Sequence, residues 1–450
     1  MKEIDTGVFT VNNNNDIYII GDIHGDYQCL IHCLVDLCKT CDVTEIYDDK
    51  EFNTKNREKL EWKENNNSTV VFCGDLTDRK RFDHVLDDEC SDIYIIKTLL
   101  RLKEDAITNG GNIIIISGNH EIMNILYTDE NTYVSPANKN KNKEYFNNQE
   151  FIKEYIENSY AWIKIGNILI AHGGLCSEYL RFLDNKKSSR EIISYVNNEY
   201  RKFFVNFKNI ANFENMDTNQ KKKYEIPYNL FIKYDLEHKK HNIFWCREWG
   251  YGKIDCDNFK NILEQVNCEK MIISHCPQFL SPGDPKMINF ECLINEDKNN
   301  NINNEYLLAR IDLGMSRSFD YNKEDKFLDY LSNNYNRKIS VLKLLNKKNK
   351  LYFNQSSVVT CKISCIQYLL IKYGITQNNW KKNNIISNWI GFNHINNLLN
   401  FIKNNKKLKD DYICSSKIIC SNENNVLLCL LYQICMKKND LESIKLFIND

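Results

Sequence analysis

The sequence predicts an α/β layered fold, from two observations. Five short aliphatic runs of strand length recur along the chain: IYII (17–20), VVF (70–72), NIIII (112–116), NILIA (167–171) and MIIS (271–274). Between them lie segments with apolar residues three and four apart, such as YQCLIHCLVDLCK (27–39) and SDIYIIKTLLRLKEDAI (91–107), the spacing of a helix that buries one face. Continuous runs rich in Ile and Val, bounded by polar or glycine-containing sequence, suit strands covered on both faces. Strand, loop, helix, strand then stacks helices on a sheet.

Taken in order, each run ends on residues that bind metals. The first opens into GDIHGD, with Asp22 and His24 two apart and Gly21 and Gly25 allowing a tight turn. The second opens into GDLTDR, carrying Asp75, Asp78 and Arg79; the third into GNHE, carrying Asn119 and His120. The fourth ends at His172 in AHGG and the fifth at His275 in SHCP. In α/β sheets, ligands gather beyond the carboxyl ends of the strands, so these five loops are placed to converge.

The chemistry of the set is coherent. Carboxylates, imidazoles and one amide oxygen, with no thiolate required, suit Mn, Fe or Zn better than Ca, which prefers oxygen alone. A carboxylate shared by two ions holds them ~3.5–4 Å apart, an arrangement suited to phosphate esters, and bridging hydroxide is then a nucleophile near neutral pH. Each piece alone has an ordinary reading: GDxHG a tight turn, Asn119 a helix cap, His172 or His275 a core histidine. Five such pieces in this order, each closing an apolar strand, are not explained that way. The remaining histidines (His32, His84, His238, His241 and His394) and Arg81 are left as surface or packing residues.

Other stretches surround this frame. Residues 127–160 and 178–242 lack strand signals and read as insertions, the second as a helical cap in which SSREIISYVNNEYRKFFVNF (188–207) is amphipathic. Asparagine runs (VNNNND, NNNSTV, NNNINN) read as surface loops. From about residue 350 the pattern changes to short amphipathic helices, CIQYLLIKYGI (365–375), HINNLLNFIKNN (394–405) and LLYQICMKKNDLESIKLFIND (430–450). The last resembles an ankyrin helix, but Ile366, Ile395 and Ile444 lie 29 and 49 residues apart, where ankyrin repeats keep ~33. A small helical appendage at 350–450 is the expectation, with ankyrin-like repeats as a second reading.

The totals bound the function. A chain of 450 residues is long enough for two or three domains, on a prior of ~150 each. With 59 Lys and Arg against 60 Asp and Glu, the net charge of −1 gives no global pull toward nucleic acid or an anionic membrane. The N-terminus MKEIDTGVFT has no apolar signal segment, and no aliphatic run nears the ~20 residues of a membrane helix. The expectation is a soluble, cytoplasmic protein. Its 18 cysteines then read as reduced thiols, including the CxxC pair Cys38 and Cys41.

These motifs resemble those of the calcineurin-like metallophosphoesterases, in the phosphoprotein phosphatase branch. IFWCREW (243–249) and RIDLGMSRSF (310–319) are similar to segments of Shewanella-like protein phosphatases, and NRKISVLKLLN (336–346) to their closing strand. The resemblance spans about 14–346. It implies a layered β-sandwich flanked by helices, a phosphatase domain at 1–349 with its cap at about 178–242, and two divalent ions, manganese first, with iron or zinc as alternatives.

One ion is expected on Asp22, His24 and Asp75, the other on Asp75, Asn119, His172 and His275. Arg79 and Arg247, with Asn119, would contact the phosphoryl group, although Arg247 also reads as a cation stacked between Trp245 and Trp249. His120 would protonate the leaving group, oriented by Asp78. Lys80 stands where the family usually has Gly, and SHCPQ replaces the commoner GHTPQ. Neither change removes a ligand; both bear on the substrate.

The expected activity is a dinuclear metal-dependent phosphomonoesterase acting on phosphoprotein through a metal-bridging hydroxide. A first alternative is hydrolysis of dinucleoside polyphosphates or nucleotides, with Tyr195, Tyr200, Phe203 and Phe204 of the cap stacking the bases. A second is an interaction protein working through its C-terminal helices, which would hold a protein partner.

Overall fold

The structure is a computed structural model. It describes residues 1–362 except 12–14, 53, 81–89, 184–188, 207–216, 234–241, 279–287, 296–303, 317–337 and 348–349. The helices expected at 365–375, 394–405 and 430–450, with the partner expected for them, lie outside the described residues, as do Arg81, His84, His238, His241 and His394.

All five aliphatic runs are strands, and they divide between two sheets. In one sheet Ile17–Ile20, Thr69–Cys73 and Asn112–Ile116 run parallel. Lys338–Lys347 pairs antiparallel with Ile17–Ile20 on one side, and Ser159–Tyr160 follows Asn112–Ile116 on the other. In the other sheet Ile168–Ala171, Lys270–Ile273 and Glu305–Arg310 are parallel. Trp162–Ile165, Val8–Thr10 and Lys2–Asp5 extend one edge, and Asn289–Asn295 forms the opposite edge.

The aliphatic side chains of both sheets share one buried core, from Ile19 and Val71 through Ile114 to Ile170 and Ile272, all essentially without exposure. Polar contacts join the sheets where the strands end. The Cys73 thiol donates to the Ala171 carbonyl (3.3 Å), and the Cys73 carbonyl lies 2.7 Å from His172 Nδ1. Both parallel triplets therefore deliver their C-terminal loops to the same place.

Helices cover this sandwich. Asp92–Thr108, expected from its periodicity, packs on Asn112–Ile116, and Ser189–Val205 packs on Trp162–Ile165 and on Gln149–Asn158. The segment after the first strand starts as Tyr27–Ile31, capped by the Asp26 carboxylate accepting from Cys29 N (3.0 Å), and continues as a π-helical turn, His32–Leu37.

Four differences from expectation are informative. A hairpin, Cys41–Asp49 with Thr54–Trp62, was not foreseen; its register shifts at Val43/Glu45 and Tyr47/Asp49 break the two-residue alternation that announces a strand. The boundary expected near 350 falls inside sheet structure, because Lys350–Tyr352 and Val358–Lys362 return onto Lys338–Lys347. Tyr200, Phe203 and Phe204 lie in the core with Phe231 and Phe244 rather than facing a ligand, and the Tyr200 hydroxyl sits 2.6 Å from Ser117 Oγ and 2.9 Å from Ser159 Oγ.

The fourth concerns the cysteines. Cys176 and Cys246 are joined, as are Cys256 and Cys292, with Cα atoms 6.7 and 5.4 Å apart, spacings a disulfide spans without backbone movement. The expectation of reduced thiols fails for these four. It holds for Cys38 and Cys41, which form no disulfide and are buried, as are six other unbridged cysteines among the described residues. Among the described residues no helix is long and apolar enough to cross a membrane.

Candidate metal centre

The five loops meet around Asp75. Its backbone is in the left-handed region (φ 50°), as is that of His24 (45°), Asp78 (69°) and His275 (66°). Non-glycine residues avoid this region, and they hold it where surrounding contacts over-determine them. Here the holding group is Glu121. Its buried carboxylate accepts from the amides of Asp75 (3.0 Å), Leu76 (2.8 Å), Thr77 (3.0 Å) and Gly118 (2.9 Å) and from the Thr77 hydroxyl (3.0 Å). Gly74 (φ 91°) lets the strand end pass close to its neighbours, since a Cβ there would lie 2.5 Å from His172 Nδ1 and 2.7 Å from the Gly118 Cα.

Hydrogen bonds fix the histidine tautomers, and the tautomers decide what the site can hold. His172 Nδ1 faces the Cys73 carbonyl (2.7 Å) and must carry the proton. Its Nε2 lone pair then faces two more acceptors, Asn119 Oδ1 (2.9 Å) and Asp75 Oδ1 (3.3 Å). His24 repeats the pattern, donating from Nδ1 to Thr77 O (3.3 Å) and turning Nε2 toward Asp22 Oδ2 (3.7 Å) and Asp75 Oδ2 (3.8 Å). Acceptors facing acceptors in a dry pocket are tolerable only with a cation among them.

Two orphaned atoms agree: Asp22 Oδ2 and His275 Nε2 are buried without a hydrogen-bond partner. Ligand atoms of Asp75, His172 and His275 lie within 4.8 Å of one another, as do those of His24, Asp75 and His120. The residues present therefore fit divalent cations on both sides of Asp75.

The electrostatics carry the same message. Burial, then Asp312 and Asp75, push the Asp22 carboxyl well above its usual range. Burial also raises Asp75, but His172, His120 and His24 outweigh it and hold that carboxyl well below the ordinary value. His275 is driven well down by burial, with His172 and Arg247 adding to it, so its imidazole stays neutral and able to ligate.

His120 lies beside this centre. Its Nδ1 is 2.6 Å from Asp78 Oδ2, its Nε2 points toward Asp75 Oδ2 at 3.8 Å, and its backbone amide donates to Asp75 Oδ1 (3.0 Å). Asp78 also accepts from Asn124 (2.8 Å) and Asn131 (2.9 Å), so both its oxygens are engaged. The two arginines part company. Arg79 is wholly buried, donating to the Gly25 carbonyl (2.9 Å) and lying 3.9 Å from Asp26, where it braces the first loop. Arg247 is exposed, and its charge reaches His275.

Several residues of the site were not foreseen. Glu121 closes the GNHE motif, and Asp312 opens the DLGMS stretch, yet neither had an assigned role. Asp312 is buried beside Asp22 and raised to about 6 by burial, and its Oδ2 has no partner. Ser274, whose hydroxyl donates to Asp22 Oδ1, and Asn131 left no recognisable signal.

A family model described as calcineurin-like phosphoesterase matches residues 16–247. No curated protein matches the chain in sequence. Among solved structures, it is similar to a cold-active protein-tyrosine phosphatase of the psychrophile Shewanella sp., at 15% identity and TM-score 0.45, covering 80% of this chain and 83% of that one. It is also similar to the phosphatase domain of the Legionella effector WipB, at 14% identity and TM-score 0.28, covering 47% and 87%.

Proposed function

The chain belongs to the calcineurin-like phosphoesterase family and is a metal-dependent phosphatase; from that premise we propose that it is a dinuclear phosphomonoesterase acting on phosphoprotein. The observation that carries the proposal is the convergence of imidazole lone pairs and carboxylate oxygens on both sides of Asp75. Asp22, His24 and Asp75 would hold one divalent ion, and Asp75, Asn119, His172 and His275 the other, with manganese first and iron or zinc as alternatives. Two such ions supply a nucleophile at neutral pH and neutralise the phosphoryl charge.

The chain's own residues do the rest. Asp78, held by Asn124 and Asn131, fixes the orientation of the His120 ring through Nδ1, leaving Nε2 to deliver a proton to the departing oxygen. Arg247 presents a guanidinium to the phosphoryl oxygens, a planar fork matched to that geometry. Arg79 acts from behind, by holding the Gly25–Asp26 turn.

Metal-stripped protein should hydrolyse p-nitrophenyl phosphate and a phosphopeptide only after Mn is restored. Loss of a general acid hurts poor leaving groups most. His120→Asn should therefore slow the phosphopeptide by about 10²–10⁴-fold while sparing the nitrophenyl ester, whose leaving group needs no proton. Equal losses on both substrates would remove His120 from the acid role; a preference for diadenosine tetraphosphate over both would favour the nucleotide alternative.

A further inference from the structure

The Cys176–Cys246 pair has no part in the chemistry described above, yet it sits at the edge of the site. Cys176 follows His172 by four residues and Cys246 directly precedes Arg247. The stretch that carries Arg247 is neither helix nor sheet strand, and it is bonded at both ends, by Cys246 to Cys176 and by Cys256 to Cys292. Its second half is gripped by other groups as well. Arg310 donates to the carbonyls of Trp249 (2.6 Å) and Gly252 (2.8 Å), and Gln278 to that of Gly250 (3.1 Å). The first half, where Arg247 lies, is pressed against the His172 loop. A Cβ on Gly173 would come within 2.6 Å of Ile243 O and 3.0 Å of Cys246 N, and Trp249 Nε1 donates to Leu175 O (2.7 Å). Trp245 in the same half stands edge-on to His275 at 5.6 Å.

We propose that Cys176–Cys246 is a thiol–disulfide exchange site that sets how firmly the chain presents Arg247, its reaction partner being a dithiol. Accessibility dictates the direction of attack. Cys176 is half-buried, whereas Cys246 is 1% exposed, so an incoming thiolate meets the Cys176 sulfur. The new S–S bond forms there, the Cys176–Cys246 bond breaks, and Cys246 leaves as a thiolate that takes up a proton. The second thiol of the partner then displaces Cys176, so the pair gains two electrons and two protons while the dithiol closes to its own disulfide. Disulfides with an accessible sulfur are the exchangeable ones. Once opened, the Arg247 half is held by packing and by the Trp249 hydrogen bond, while Arg310 still anchors the rest.

The inference rests on Arg247 contacting the phosphoryl group, and it is testable apart from turnover. The full chain, purified without reductant, would be alkylated and peptide-mapped before and after dithiothreitol. The Mn-loaded protein would be assayed in both states on p-nitrophenyl phosphate. Inorganic phosphate would be titrated by tryptophan fluorescence, since Trp245 and Trp249 flank Arg247.

Cys176 and Cys246 should alkylate only after reduction. The KM and the phosphate Kd should then rise about three- to tenfold with kcat within about twofold. Cys176→Ser should show the reduced values from the start and ignore dithiothreitol, which separates the effect from metal chelation by the reagent. Alkylation of Cys176 in the untreated protein would overturn the proposal, as would reduction that changes neither KM nor phosphate affinity. A protein inactive in both states that still loses phosphate affinity on reduction would keep the exchange site and discard the monoesterase.

Discussion

Two halves of the site are built on different principles. The half around Asp75 stands on the ends of parallel, buried strands; its candidate ligand side chains are nearly without exposure, and Glu121 pins its backbone through five donors. The half around Arg247 stands on an irregular stretch held by two disulfides and by Arg310, with its guanidinium exposed to solvent. The first would offer a cage to small cations, and its rigidity comes from the sheet. The second, on the proposed role of Arg247, would admit and release a substrate, and its order comes from long-range ties.

Replacing one arginine at a time sharpens that contrast most. Arg247→Ala should lower kcat/KM by about 10–100-fold with thermal stability unchanged, because the group is exposed. Arg79→Ala should do the reverse, costing about 1–3 kcal/mol by leaving buried polar groups unpaired and affecting turnover mainly through a loosened Gly25–Asp26 turn. Kinetics beside thermal melts of both variants would check this. If Arg79→Ala kept full stability and lost turnover, the two arginines would share one role and the division of the site would fail.

A smaller effect should appear with pH, and it belongs to the Asp75 half alone. Without metal, His172 is raised above its ordinary 6.5, since Asp75 outweighs the lowering by burial, and Asp22 is raised by burial, Asp312 and Asp75. A histidine raised in the folded state stabilises fully below its unfolded value and loses that contribution as pH climbs through the folded one. A raised carboxyl has the same sign, because the fold favours its protonated form. His275, held down by burial, has the opposite sign, but only up to its unfolded value near 6.5, so metal-free protein should melt a few degrees lower at about pH 8.5 than at about pH 7. Added Mn should close that gap, since cations replace the protons. Melting curves with and without Mn at both pH values read the effect; an equal gap with Mn present would mean that the cations do not sit among these groups.

The unequal legibility of the two halves in the sequence has the same origin. Asp22, His24, Asp75, Asn119, His172 and His275 were readable because each closes an aliphatic run, and parallel strands carry their ends to one edge. Glu121 lay within the GNHE motif, but its work is to collect backbone amides 44–46 positions away in the chain, which no local pattern announces. Arg79 reads in the sequence as a substrate ligand beside Asp78; that it is wholly buried and donates to the Gly25 carbonyl is visible only in the packing. The Cys41–Trp62 hairpin was hidden by bulges that break its alternation. The disulfides join residues 70 and 36 apart, and cysteine spacing alone cannot choose partners.

That Asp75 joins two cation sites is the central claim, and metal stoichiometry tests it most directly. Wild-type protein and Asp75→Asn would be stripped, reloaded with Mn, desalted and measured by inductively coupled plasma mass spectrometry, with circular dichroism confirming that both are folded. Two ions per chain are expected in the wild type, falling to about one or fewer in the variant, because both sites lose a shared carboxylate. One ion per chain in the wild type, or two retained in Asp75→Asn, would contradict the shared centre.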